Sequence, residues 1–427
     1  MEAFVLINVR QPIVSVRLNA PAFWLGQLDI IGLIATLGLV VLRIPLNDAK
    51  TFTLLLVCIS IIAWLACARS RSHLPRQLHP RRIGRLLIPW IAAAGTLCIT
   101  ALLRDYYSGT ALLIFATSWT LWMLVSRLTL SRIAQQTRVL FVGQSPFYDE
   151  LIRLPQLNVT QLTQVPDTFD TWDLIALDPR ANYSDEWLQW LAHADVAGKS
   201  VIKAPLLIEI FTGQVSTQVL HGRWASAIFH GNSNYSLWKR ALDLSITLFF
   251  APLIALACLA VATAIATVDG RPVFFWQERV GKNGQTFKMV KFRSMRQDSE
   301  QSGAQFATKG DLRVTRLGAF LRKYRLDELP QFWNVFKGDM SIIGPRPEQR
   351  VFVEQFETEV PLFDIRHHVR PGITGWAQVK LGYTAGADEA SEKLRCDFYY
   401  IKHFSFGLDF LIVCRTIRTI LSGFGAR

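Results

Sequence analysis

Apolar and polar positions divide the chain into three regions of different rhythm. In the first third, four stretches at about Phe23–Leu42, Phe52–Ala68, Leu86–Leu103 and Ala111–Val125 are nearly free of charge. Each approaches the ~20 residues that an α-helix needs to cross a bilayer. Residues 138–230 instead alternate short apolar runs with amphipathic ones. Arg138–Gly143, Asp173–Leu177 and Ser200–Ile202 read as buried strands, and Phe147–Leu154 and Ser184–Ala194 as helices. That alternation predicts a small parallel sheet. A fifth apolar run, Leu244–Val268, holds Pro252 in its interior. Beyond it, Val273–Arg279 and Gln285–Phe292 flank Gly281-Lys282-Asn283-Gly284, and Asn-Gly predicts a tight hairpin turn.

Composition agrees with membrane segments. The 427 residues are 51% hydrophobic and 19% charged, against about 25% charged in an ordinary soluble chain. Disorder, collagen and coiled coil are excluded. The net charge of +13 is uneven, because Lys+Arg against Asp+Glu is 13 to 4 in residues 1–136, 8 to 12 in 137–270 and 25 to 17 in 271–427. Basic ends on a membrane chain point to anionic headgroups or phosphate ligands, and no nucleic-acid partner is expected. Six scattered cysteines without CxxC, and histidines without HExxH, argue against a disulfide framework or a zinc site.

Loop charges give a direction. Arg69, Arg71, Arg76, Arg81, Arg82 and Arg85 lie between the second and third stretches, and Arg127, Arg132 and Arg138 follow the fourth. The positive-inside rule puts these segments and both termini in the cytoplasm. Asp29 reads as an interfacial acid, and no cleavage pattern predicts a removed signal peptide. The fifth run is basic on both flanks (Lys239 and Arg240 before, Arg271, Arg279 and Lys282 after). Pro252 removes a helix hydrogen bond. A helix that enters, breaks near Ala251-Pro252 and returns to the same face fits both observations. The middle segment has Gly143 alone after its first strand, without GxGxxG, so a structural or regulatory module is preferred to nicotinamide binding.

Candidate chemistry gathers in the last third. Lys291-Phe292-Arg293 places two cations near a loop. In Leu321–Gly338, Arg322, Lys323 and Arg325 precede the carboxylate pair Asp327-Glu328. If this run is one helix, residues 322, 325 and 329 share a side, while the two acids diverge by about 100° and can take different roles. Phe332, Trp333 and Phe336 form an aromatic stripe suited to a lipid interface. Taken alone, the charge run is as well explained by a solvated helix face. Two rigid turns, Gly344-Pro345-Arg346-Pro347 and Arg370-Pro371-Gly372, each present an arginine, whose planar fork suits phosphate. Three basic turns and an acid pair describe a diphosphate site that needs a divalent cation.

Five motifs in order, Gln277-x-Arg279-x-Gly281, Lys291-Phe292-Arg293-Ser294-Met295, Asp327-Glu328-Leu329-Pro330-Gln331, Gly344–Pro347 and Pro371–Trp376, resemble the bacterial sugar transferases. These are monotopic polyprenyl-phosphate hexose-1-phosphate transferases. The resemblance covers about Trp238–Ser422, and the N-terminal region looks like that of the large members that initiate exopolysaccharide or O-antigen units. It implies a four-helix anchor (1–136), a Rossmann-like α/β module (137–232) and a mainly α catalytic domain (233–427) with a re-entrant helix at about 241–268 and a short β-hairpin. It further implies transfer of a sugar 1-phosphate from a nucleoside-diphosphate sugar, commonly a UDP-hexose, to undecaprenyl phosphate, with release of UMP. By motif position Asp327 would be the nucleophile, Glu328 a Mg²⁺ ligand, and Lys291, Arg322 and Arg346 phosphate contacts, with Arg293, Arg325 and Arg370 as secondary ones. The expected location is the bacterial inner membrane, among its lipids, with a homodimer left open. Two departures stand out: Ala251 precedes Pro252 where many members have serine, and Gln378–Tyr383 replaces an Asn-Gly-Arg turn. A non-catalytic scaffold of polysaccharide assembly is the competing reading, against which the intact acid pair and Arg346 speak.

Overall fold

The computed structural model describes residues 21–41, 56–61, 88–103, 108–133, 136–216, 233–296, 311–382 and 387–422. The chain forms two compact units, Met1–Thr212 and Gly213–Arg427.

In the first unit, α1 (Pro21–Val41), α2 (Ile88–Leu103) and α3 (Gly109–Ile133) coincide with three of the four apolar stretches. Residues 56–61 are helical, and the rest of the second stretch and the arginine-rich loop lie outside the described residues. The helices pack through Leu33, Val40, Leu56, Ala92, Phe115 and Trp119. Gly32 permits the close approach, since a Cβ there would overlap the Trp122 ring. Hydroxyls are satisfied inside the helices: Thr36 donates to the Gly32 carbonyl, Thr96 to Ala92 and Thr100 to Thr96, each at 2.8 Å. Such back-bonding lets polar side chains reside where water is absent. Asp29 is only 2% exposed, packed among the helices, and Trp119 donates to its backbone carbonyl. The sequence does not announce that burial, which leaves its depth in a membrane untouched.

The α/β module is a four-stranded parallel sheet. Its strands are β1 (Thr137–Val142), β2 (Leu157–Gln161), β3 (Leu174–Leu177) and β4 (Ser200–Lys203), in the order β2-β1-β3-β4. Helices α4 (Phe147–Ile152), α5 (Asp185–Val196) and α6 (Ala204–Thr212) connect or follow them. Strand β2 and helix α6 are additional to the predicted elements. At the carboxyl ends of β1 and β3, where parallel sheets open a ligand crevice, the Tyr183 hydroxyl lies against the Val142 and Asp178 carbonyls.

The second unit opens with α7 (Ser233–Val268), 36 residues long. The helical backbone is not interrupted at the expected break, since Pro252 lies inside the helix; a bend of the axis at proline is compatible with that. Only 6% of its apolar window is buried, unlike the core helix of a soluble domain. Both of its ends nevertheless dock on the same domain. At the amino-terminal end Lys239 meets Asp409 at 2.7 Å, and Asp409 also accepts from the Tyr235 and Tyr400 hydroxyls. One turn on, Asp243 accepts from Ser341 at 2.7 Å. At the other end Ile265 packs with Phe292 and Leu321. Between them Leu248, Phe249, Leu253, Leu256 and Leu259 are exposed.

The predicted hairpin is present as β5 (Phe274–Val280) and β6 (Thr286–Phe292), antiparallel with Phe275 opposite Lys291. Asn283 and Gly284 both take positive φ, 55° and 75°, which is what a two-residue primed turn demands. Helices α8 (Arg316–Lys323) and α9 (Gln331–Lys337) follow. Then β7 (Ser341–Ile343), α10 (Arg350–Glu359), β8 (Gly372–Thr374), α11 (Trp376–Leu381), α12 (Ala387–Lys402) and α13 (Phe406–Ser422) complete the unit. Strands β7 and β8 pair in parallel and bring the two Gly-Pro turns together. A Cβ on Gly344 would overlap the Arg370 carbonyl, and one on Gly372 the Gly344 amide, so glycine is required at this crossing.

The Lys239 cluster generates a stability prediction. Lys239→Met would leave the buried carboxylates Asp409 and Asp243 without their cation. Breaking such a pair costs about 3–5 kcal/mol, and denaturant unfolding in detergent micelles should show a loss of that size. A loss under about 1 kcal/mol, the value of an exposed pair, would mean the cluster is not holding α7 in place.

Candidate active site

The site is assembled from four segments. Strand β6 supplies Lys291. Helix α8 starts at Thr315, whose hydroxyl accepts the Gly318 amide at 2.8 Å as an N-cap, and it ends by presenting Arg322. The Arg322 Nε donates to the Ser294 hydroxyl at 2.8 Å. The run from Arg322 to Gly338 is not the single helix that the charge spacing allowed. Arg325 adopts a left-handed backbone (φ 56°), and a 3₁₀ turn, Leu326–Glu328, precedes Pro330 and α9. A non-glycine residue in that region carries strain of about 1–3 kcal/mol. Here the kink turns both acids inward: Asp327 is 9% and Glu328 6% exposed. The fourth segment is the 344–347 turn, from which Arg346 Nη2 reaches Glu328 Oε1 at 2.9 Å. Arg325 Nη1 lies 3.7 Å from the other Glu328 oxygen.

These neighbours push the two acids in opposite directions. Burial first, and then the charge of Glu328, raise the Asp327 carboxyl to about 6, although Lys291, Arg322 and Arg346 pull the other way. Burial also acts upward on Glu328, but Arg346 and Arg325 outweigh it and hold that carboxyl below its usual range. The Lys291 ammonium, 4.9 Å from the Phe275 ring centroid, is lowered to about 8 by burial and then by Arg279. Two titratable groups with opposite displacements mark a division of roles.

Six predicted residues therefore converge: Asp327, Glu328, Lys291, Arg322, Arg325 and Arg346. Two others have different contacts. The Arg293 guanidinium donates to the Asp269 and Gly270 carbonyls at the carboxyl end of α7. Arg370 donates to the Gly338 carbonyl at 3.1 Å, at the end of α9, where Arg240 also holds the Val335 and Phe336 carbonyls. Both predicted phosphate contacts thus hold helix ends. Arg279, part of the Gln277-x-Arg279-x-Gly281 motif, is not among the predicted site residues. It shares with Gln277 and Phe275 the strand face that carries Lys291, and period-2 alternation alone could have found it.

Among the described residues no three His, Cys, Asp or Glu side chains gather into a metal cage. Mg²⁺ commonly takes only one or two carboxylates and completes its shell with water and substrate phosphates. The adjacent acids Asp327 and Glu328 supply two such carboxylates.

A bilayer-length apolar helix beside a cation-lined acid pair defines the class of domain. The chain belongs to the bacterial sugar transferase family, whose profile matches residues 234–423. It is 49% identical over 257 residues to a UDP-N-acetylgalactosamine-undecaprenyl-phosphate N-acetylgalactosaminephosphotransferase of Aeromonas hydrophila, covering 60% of each chain. UDP-glucose:undecaprenyl-phosphate glucose-1-phosphate transferases are also similar. That of Klebsiella pneumoniae is 36% identical over 51% of this chain and 48% of its own. That of Caulobacter vibrioides is 38% identical over 44% and 70%. The first two are matched over only about half of their own length.

The Asp327 displacement predicts a pH-dependent stability difference. An acid whose folded pKa is raised is disfavoured when ionised. Its penalty is absent below the unfolded value near 4, grows up to about pH 6 and is constant above. Asp327→Asn removes that penalty. The variant should melt at a higher temperature than the parent at pH 7.5, with the gap closing near pH 4. A variant less stable at pH 7.5 would contradict the raised pKa.

Proposed function

We propose that the chain transfers a sugar 1-phosphate from a nucleoside-diphosphate sugar to undecaprenyl phosphate, as the first membrane step of exopolysaccharide or O-antigen synthesis. The observation that carries this is the buried Asp327-Glu328 pair, displaced in opposite directions among Lys291, Arg322, Arg325 and Arg346. The names of the relatives, which specify UDP-glucose and UDP-N-acetylgalactosamine, favour a UDP-hexose donor.

The exchange divides into two displacements. An Asp327 carboxylate oxygen attacks the phosphorus next to the sugar, and the P–O bond to the nucleoside monophosphate breaks. UMP departs with the bonding pair, leaving a phosphosugar-aspartyl group. An oxygen of undecaprenyl phosphate then attacks the same phosphorus, the P–O bond to Asp327 breaks, and the carboxylate is restored. Phosphoryl transfer needs alignment and charge neutralisation more than proton transfer. Lys291, Arg322 and Arg346 surround the acid and neutralise the phosphate oxygens. A raised pKa makes Asp327 more basic than an ordinary carboxylate while leaving it mostly ionised above about pH 6. Held by Glu328 and the diphosphate together, Mg²⁺ would add charge neutralisation.

The membrane arrangement follows from α7. Its Lys239 end and its Ile265 end both dock on one domain, which supports a helix that dips into the cytoplasmic leaflet of the inner membrane and keeps both ends on the cytoplasmic face. Exposed Phe320, Tyr324, Trp333 and Phe336 suit the headgroup layer, where the lipid phosphate resides.

Measurements of activity and of topology test this reading. Membranes carrying the chain should release UMP and form a lipid-linked sugar with at least one of a panel of labelled UDP-hexoses. Asp327→Asn should fold yet lose turnover by about 10⁴-fold or more, in keeping with nucleophile deletions elsewhere. Omitting the lipid should trap label on a peptide containing Asp327. Glu328→Gln should be impaired but partly restored by high Mg²⁺. Substantial activity in Asp327→Asn would favour direct attack by the lipid phosphate. For topology, a cysteine introduced at Lys282, exposed in the hairpin turn, should resist impermeant thiol reagents in intact cells. Labelling from outside would mean that α7 crosses the bilayer.

A further inference from the structure

The arginine that grips Glu328 sits on a turn whose backbone is held at every residue. The Gly344 amide donates to the Thr374 carbonyl and the Gly372 amide to the Pro345 carbonyl, both at 2.9 Å. The Val280 amide donates to the Glu348 carbonyl at 2.9 Å. The two carbonyls between them are bound by side chains: Arg279 Nη1 donates to Pro347 at 3.0 Å, and Arg366 Nη2 donates to Arg346 itself at 2.9 Å. Pro345 and Pro347 add fixed φ angles.

Arg366 is built for this contact. It is 4% exposed and lies 4.9 Å from the Phe363 ring centroid. Its Nε and Nη2 both reach one oxygen of Asp397, at 3.0 and 2.8 Å. Asp397, 1% exposed on α12, is the carboxylate that allows a charged guanidinium to remain in this interior. Two packed groups thus orient one Nη2 donor at the carbonyl of the residue whose own guanidinium reaches the acid pair. A buried ion pair of this kind is poor evidence for stability, whereas a planar, pre-aimed donor is well suited to fixing geometry.

We infer that Arg366 and Asp397 are positioning residues for the transfer: the pair locks the Arg346 backbone so that its guanidinium meets Glu328 and the phosphates of the bound diphosphate. They touch no substrate and act only through Arg346. The kinetic consequence rests on the proposed transferase reading, whereas the mechanical one does not.

The test has two arms. Arg366→Lys keeps the charge and loses the planar fork, so a single ammonium cannot hold the Asp397 oxygen and the Arg346 carbonyl in the same geometry. Where that variant folds poorly, Arg366→Met with Asp397→Leu removes both buried charges together, a replacement that is often neutral for folding. In the first arm, hydrogen exchange at the Gly344 amide of the full chain in detergent should speed up at least tenfold relative to amides of the α/β module. In the second, kcat/KM for the nucleotide sugar should fall about 10²-fold, the scale of an ångström-sized misplacement. The same change introduced into Arg346→Ala should lower it by less than threefold. Unchanged exchange at Gly344 overturns the proposal. So does an equal loss in both backgrounds, which would mark a structural role unconnected with Arg346. If the parent chain transfers no sugar phosphate, the transferase reading fails and the exchange arm alone decides this one.

Discussion

Two carboxylates on consecutive residues, both removed from water, are what the catalytic-type domain has to accommodate. An ionised carboxylate in a protein interior costs several kcal/mol unless it is paired and hydrogen-bonded, and its neighbour's charge adds to the cost. The fold answers with cations from four separate segments: Lys291 from a strand, Arg322 from a helix end, Arg325 from the kink, and Arg346 from a proline-flanked turn. They are unequally divided. Arg346 and Arg325 contact Glu328 directly, so it stays ionised. Asp327 has no comparably short ion pair among the described contacts and retains a raised pKa. Compensation sufficient for one acid and incomplete for the other leaves one carboxylate held below its usual range beside one raised above it.

That division depends on where the backbone breaks. Asp327 and Glu328 lie within a 3₁₀ turn, whose successive residues are about 120° apart. Cations arriving from different segments, not a shared direction, therefore bring charge around both acids. The left-handed Arg325 and the 3₁₀ turn after it replace α-helical bonds by shorter-range ones, Arg325 to Arg322, Glu328 to Arg325 and Leu329 to Leu326, and both acids are buried there. Before the kink Phe320 pairs with Tyr324, and after it Trp333 with Phe336, all four exposed. A local departure from regular structure therefore separates two helices that each carry an exposed aromatic pair, with the buried acids between them in the chain.

Much of this was legible in the sequence where a rule is local. Asn283-Gly284 specified the hairpin because both positions need positive φ, and three apolar stretches became helices because they carry almost no competing signal. The acid pair and Arg346 were found because their spacing is motif-like. What escaped depends on tertiary context. Nothing in Tyr324-Arg325-Leu326 announces a left-handed residue, and proline alone did not disclose that α7 stays helical through Pro252. Strand β2 reads as Leu-Asn-Val-Thr-Gln, too polar to stand out at the edge of a sheet. Arg366 and Asp397 lie 31 residues apart in segments with no motif to join them.

The arginines show why cation-rich turns are ambiguous. Arg293 follows strand β6 at the start of a loop and Arg370 precedes the rigid Pro371-Gly372 turn, settings that suit phosphate recognition. Both are aimed at carbonyls where helices end, and Arg240 does the same at the end of α9. A helix carboxyl terminus presents unsatisfied carbonyls and a partial negative charge, so to a guanidinium it resembles a weak anion. From sequence alone, an arginine near a turn cannot be assigned to a ligand or to a helix end, since both offer oxygen acceptors in similar geometry. The distinction rests on what lies opposite. Arg322, Arg325 and Arg346 act on the charges of the acid pair. Arg240, Arg293 and Arg370 join segments of the domain to one another and keep those three in place.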